Sequence, residues 1–169
     1  MKTFLCAVLF LASRGFGAEV LDRIAIVVGN TAITKTEVAR EARIAAFING
    51  EAPDLGPAGK RRAAERLVEQ ELIRREIGLA HYADSGEIDG AQMLDQIKAR
   101  YLSPEQLQRA LQQNDITEED LRSHLAWQAT VLRFTEFRFR GGNVDQQLDG
   151  WLKEARTRIP VEFREEVFR

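Results

Sequence analysis

Two histidines, His81 and His124, are the side chains best suited to proton transfer near neutral pH. Neither has a serine, cysteine or carboxylate at a spacing that specifies a catalytic pair, and both fall on helical stretches, where surface or satisfied core histidines are the ordinary case. Glu118-Glu119-Asp120 gathers three carboxylates as acid-base chemistry would require. Their place directly after Thr117, in the first turn of a helix, is explained by the positive end of the helix dipole. Gly141-Gly142 follows a helix instead of a strand and so lacks the setting of a phosphate-cradling loop. Cys6 is the only cysteine and no Cys/His cluster offers a zinc site. The expectation is therefore a chain without catalytic residues, metal or cofactor.

Binding chemistry is better represented. The run Arg133-Phe134-Thr135-Glu136-Phe137-Arg138-Phe139-Arg140 places three phenylalanines within six residues. Successive helical positions are about 100° apart, so the three rings cannot share one face. Some should be covered by the end of the chain, leaving others as an apolar surface rimmed by arginines. Phe134, Phe137 and Phe139 are thus candidate contacts, as are Phe47, Ile48 and Leu55 around a glycine- and proline-rich loop and Met93 and Tyr101 further on. Methionine is flexible and polarisable enough to suit a promiscuous surface. Each of these types is also a common core residue.

The elements that must position these side chains begin at Asp22. Ile24, Ile26 and Val28 alternate with Ala25 and Val27, Gly29-Asn30 is a turn signal, and Ala32-Ile33 continues as a short second strand. Thr34 and Glu37 form a capping box for a helix from Lys35 to about Asn49, with Val38, Ala42, Ala45 and Ala46 on one face and Ile44 beside them. Gly50 to Gly59 reads as a mobile loop with Leu55 exposed in it. A second helix from about Arg61 to Tyr82 has Leu67, Val68, Leu72 and Leu79 at helical spacing, with Ile73, Ile77 and Ala80 alongside. Its other face, carrying Arg66, Glu69, Arg74, Arg75 and Glu76, reads as solvated.

After a break at Asp84-Ser85-Gly86, a third helix runs from Asp89 to Tyr101. Ser103 with Gln106 and Pro104 starts a short helix that buries Leu107, Ala110 and Leu111 and ends near Asn114. The longest helix runs from Thr117 to about Arg140, with rows Leu121-Leu125-Gln128-Leu132 and Trp127-Val131-Phe134, a face wide enough to need several partners. Gly141-Gly142 stops it, Asn143 caps another helix bearing Leu148, Trp151, Leu152 and Ala155, and Ile159, Val161 and Phe163 alternate as a strand. Pro160 confines that strand to an edge. The two ends of the chain are expected to meet, the last strand pairing with Ile24 to Val28. The fold class is mainly α with a small antiparallel sheet.

Residues 1–18 read as a secretory leader: Lys2, an apolar run from Phe4 to Ala12, then Gly15-Phe16-Gly17-Ala18, with cleavage expected near Gly17 or Ala18. Cys6 lies within the apolar run, without the flanking pattern of a lipidated cysteine. Removing the leader removes the cysteine, and the 24 basic residues fall to 22 against 26 acidic ones, a net charge of −4. Export and that charge disfavour nucleic acid. No later stretch is apolar enough for stable membrane insertion.

Four local patterns in order carry a resemblance: Asp22 to Asn30 with Ile33-Thr34, Arg66 to Ile73, Leu121-Arg122-Ser123-His124-Leu125, and Trp151 to Arg156 leading into Ile159 to Phe163. Together they resemble the SurA-like family of periplasmic chaperones over nearly all of residues 19–169. The resemblance implies a SurA/trigger-factor-like core in which residues 144–169 complete a unit begun by residues 19–140. It also implies a periplasmic, ATP-independent holdase whose clients are unfolded exported polypeptides, among them outer-membrane proteins. Family members commonly carry parvulin prolyl isomerase domains between the long helix and the last helix. Only Arg140-Gly141-Gly142-Asn143 occupies that position here, so the isomerase is expected to be absent. Two rival expectations are an interaction module that forms a homodimer by exchanging its C-terminal segment, and an accessory subunit of a separate prolyl isomerase.

Overall fold

The computed structural model describes residues 22–82 and 86–168. The expected leader and the Asp84-Ser85 part of the expected break lie outside the described residues. Strand β1 (Ile24–Val28) turns through Gly29-Asn30 into β2 (Thr31–Thr34). Gly29 takes φ +60°, and a Cβ there would also lie 2.8 Å from Arg75 Nη1, so both backbone and space call for glycine. The capping box forms: Thr34 Oγ1 accepts from the Glu37 amide and the Glu37 carboxylate accepts from the Thr34 amide, opening α1 (Lys35–Asn49). A bulge near Ala25 interrupts the β1–β2 register.

The C-terminal strand β3 (Val161–Phe163) pairs antiparallel with β1, matching Ile26 to Phe163 and Val28 to Val161. The sheet order is β2-β1-β3, which places β3 at an edge directly after Pro160. Ile26 and Val28 are thereby enclosed, and their core continues through Val68 and Leu72 of α2 (Pro57–Leu79), Phe134 of α5 (Glu118–Arg138) and Leu152 and Ala155 of α6 (Val144–Arg158). A second core joins Ile44 and Phe47 of α1 to Leu94 and Ile97 of α3 (Glu87–Lys98), Leu107 and Leu111 of α4 (Pro104–Gln113), and Leu121 and Leu125 of α5. The fold is mainly helical with a small three-stranded antiparallel sheet.

Several local expectations are corrected. The second helix starts at Pro57 and ends at Leu79, so Pro57, Ala58 and Gly59 belong to helix instead of loop. Proline at its first position needs no amide partner there, and the Asp54 carboxylate secures the entry by accepting from the Gly56 amide and from Arg62. Leu55 is half-buried against the first core, not exposed. Leu79 stands 77% exposed although it continues the apolar row of α2. Tyr101 lies beyond the end of α3, and α5 stops at Arg138 with Phe139 as its C-cap. Ser103 Oγ accepts from the Gln106 amide as expected, but the Gln106 side chain accepts from the Leu102 amide, one residue before the cap.

The charged side of α2 is only partly solvated: Arg74 is exposed, while Arg66, Glu69, Arg75 and Glu76 are half-buried and engaged with neighbouring elements. Buried Glu71 accepts from Thr31 Oγ1 at 2.7 Å and from Arg74 and Arg75. Arg75 in turn reaches the Val28 carbonyl at 2.8 Å. At the opposite end, Arg156 of α6 donates to Glu65 at 2.8 Å and to Glu69 at 3.3 Å. These bonds clamp α2 to the hairpin on one side and to α6 on the other.

Candidate functional site

Helix α5 carries more apolar surface than the two cores absorb. Leu121 and Leu125 enter the second core and Phe134 the first, while Gln128 and Leu132, expected to continue the buried row, are exposed. The surplus forms a groove: Trp127, Val131 and Leu132 of α5 face Gln70 and Ile73 of α2 and Leu148 and Leu152 of α6, around a hollow of about 370 Å³. Leu132 is 59% exposed on this wall. An aliphatic side chain this exposed beside an open hollow gains from any apolar chain laid across it.

The charges around the groove are unevenly matched. Arg66 is tied to Glu41 at 2.9 Å, and Arg74 lies 4.6 Å over the Trp127 ring. Burial, with the nearby carboxylates Glu65 and Asp149, pushes the Glu69 carboxyl up despite its contact with Arg156. Asp145, on the α6 side, and Asp149 make no ion pair among the described residues. Trp127 Nε1 is shut off from solvent without a hydrogen-bond acceptor among the described residues.

The expected contact residues do not assemble into one surface. Phe47, Phe134 and Phe139 are buried and offer no surface to a ligand; Phe134 is 2% exposed. Phe137 is 52% exposed, packed at 5.6 Å against Tyr82 and at 5.1 Å under Arg140. Ile48 and Met93 are half-buried on the second core. Tyr101 stacks on Phe47 at 6.2 Å and lines a separate recess of about 250 Å³ with Leu102 and Leu107. None of the eight candidates lines the α2–α5–α6 groove. The signal that could have found it was the excess width of the α5 apolar face, which left Trp127, Val131 and Leu132 without an assigned partner.

His124 is a satisfied, largely buried histidine, and its carboxylate partner is one that sequence spacing does not reveal. Its Nδ1 lies 3.4 Å from Glu41 Oε2, and Arg66 Nε binds the other oxygen of the same carboxylate. Burial pushes the Glu41 carboxyl up, yet His124 and Arg66 outweigh that cost and hold it below the ordinary glutamate range. This charged cluster joins α1, α2 and α5, which makes it a structural tie. No group of three or more metal-ligating side chains occurs among the described residues, and none of their helices is long and apolar enough to cross a membrane. Comparison of the chain with protein-family models, curated proteins and solved structures gives no match.

Proposed function

We propose that the chain is a non-enzymatic, ATP-independent chaperone of the periplasm, a SurA-like core without the isomerase domain. It holds unfolded exported polypeptides, including outer-membrane β-barrel precursors, until they fold or are delivered. The observation that carries this reading is the open apolar groove between α2, α5 and α6, with Leu132 exposed on its wall. The order of sequence patterns that resembles the SurA-like family supports it independently. Apolar burial is worth about 25 cal/mol per Å², so one short segment seated in the groove binds weakly. Hold on a long client then comes from repeated engagement of many segments, and release needs no nucleotide.

The test is suppression of aggregation. A urea-unfolded outer-membrane β-barrel protein is diluted into buffer with an equal molar amount of the chain lacking residues 1–18, and light scattering is followed. The reading expects scattering to fall, and to recover when Leu132→Glu replaces the wild type. Undiminished scattering at several-fold excess of the chain would overturn it.

A further inference from the structure

The groove is apolar along its walls, but two features give it a chemical preference. The first is the Trp127 indole N–H, buried at the wall without an acceptor among the described residues. A donor sealed from water and left unpaired costs free energy, which an acceptor that reached it on binding would recover. An extended peptide brings such acceptors as main-chain carbonyls at every residue. A purely hydrocarbon ligand brings none.

The second feature is charge. The arginines near the groove are committed: Arg66 to Glu41, Arg74 to Glu71 and the Trp127 ring, Arg156 to Glu65 and Glu69. Asp145 and Asp149 of α6 have no ion-pair partner among the described residues, and Asp149 acts on Glu69 across the helix interface. Asp145 lines the groove and Asp149 stands near its Glu69 wall, so a cation arriving on the α6 side meets a carboxylate that no arginine has claimed. An acidic flank on a ligand would meet repulsion at the same place.

We infer that the groove selects an extended peptide segment whose apolar side chains are flanked by lysine or arginine, with a main-chain carbonyl of that segment accepting the Trp127 Nε1 hydrogen. The inference rests on the groove being the client site and adds which segments of a client it prefers. The lysine or arginine lies at Asp145 on the α6 side, with Asp149 one turn further along the helix, and the apolar side chains lie against Ile73, Val131 and Leu132. Unfolded chains would thus be held at apolar stretches with a basic boundary, and apolar stretches bounded by carboxylates would be passed over.

The experiment uses two labelled peptides with the same leucine- and valine-containing stretch, one ending in two lysines and the other in two glutamates. Each is titrated by fluorescence anisotropy with the chain lacking residues 1–18. The lysine peptide is expected to bind about five- to tenfold tighter in low salt, with the gap closing in high salt and in Asp145→Asn/Asp149→Asn. Trp127→Phe is expected to weaken both peptides about three- to tenfold while its urea midpoint stays at or above that of the wild type. Trp151→Phe leaves Trp127 as the only tryptophan, and its emission is expected to change on binding, a reading that does not need the Trp127 variant to fold. Equal affinity for the two peptides, or unchanged affinity in a folded Trp127→Phe variant, overturns the inference while the groove reading stands if Leu132→Glu abolishes binding. Binding of neither peptide, or binding indifferent to Leu132→Glu, overturns the groove reading itself.

Discussion

Replacing Glu41 by glutamine removes a charge from the centre of the molecule while keeping the shape of the side chain. Glu41 is 4% exposed and is held by Arg66 Nε at 2.9 Å and His124 Nδ1 at 3.4 Å. Breaking a fully buried ion pair costs about 3–5 kcal/mol. Arg66 is 40% exposed and regains water when its partner is lost. The amide oxygen of glutamine also still accepts one bond, which brings the expected loss to about 2 kcal/mol at neutral pH. For a chain of this size that lowers Tm by about 4–8 °C. The sign of the pH dependence follows from the lowered pKa of Glu41. Its stabilisation is present above the unfolded-state value of about 4.3 and is lost as pH falls through the folded value. Urea unfolding of both chains at a series of pH values is therefore expected to show a gap that is full at pH 7 and closes below pH 4. A gap of the same size at every pH, or one under about 0.5 kcal/mol at pH 7, would refute the view that ionised Glu41 ties the three helices together.

Two further substitutions test the packing. Gly90 of α3 lies so close to α5 that a Cβ there would sit 2.6 Å from Ala126 Cα, so Gly90→Ala is expected to destabilise by about 2 kcal/mol or more in urea, although alanine is the better helix former by about 1 kcal/mol. A neutral or stabilising Gly90→Ala would mean that the α3–α5 contact is looser than the structure has it. Phe134→Ala should cost about 3–5 kcal/mol and Phe137→Ser less than about 1 kcal/mol, because one ring is enclosed in the first core and the other is half in solvent. Equal losses in thermal unfolding would contradict that assignment.

Much of the fold was legible where the code is local. The Gly29-Asn30 turn, the Thr34–Glu37 and Thr117 caps, the Asn143 cap and the alternation of Val161 and Phe163 each act over a few residues, and each forms. Pairing of the two ends was also readable, since a two-stranded hairpin with apolar Ile26 and Val28 needs cover and residues 159–163 alternate as a strand does. What failed was non-local. The charges of α2 read as a solvated face because their partners Thr31, Glu41 and Arg156 lie 25 to 91 residues away. The start of α2 was missed because Gly56 offers no side-chain cap.

The candidate site was the least legible part. Phenylalanine and methionine report apolar demand without saying which neighbour meets it, so Phe134 and Phe139 were indistinguishable in sequence from Phe137. The groove emerges only when α2, α5 and α6 take their places and leave Trp127, Val131 and Leu132 partly uncovered.

The measurement that bears most directly on the groove is photocrosslinking from single positions to an unfolded β-barrel client. A photoreactive phenylalanine analogue is placed at Leu132 in the groove or at Leu102, which is 96% exposed at the α3–α4 corner. A client-binding groove predicts strong crosslinks from position 132 and weak ones from position 102, with unlabelled client competing only the former. Equal crosslinking from both positions, or crosslinking from 102 alone, would contradict it.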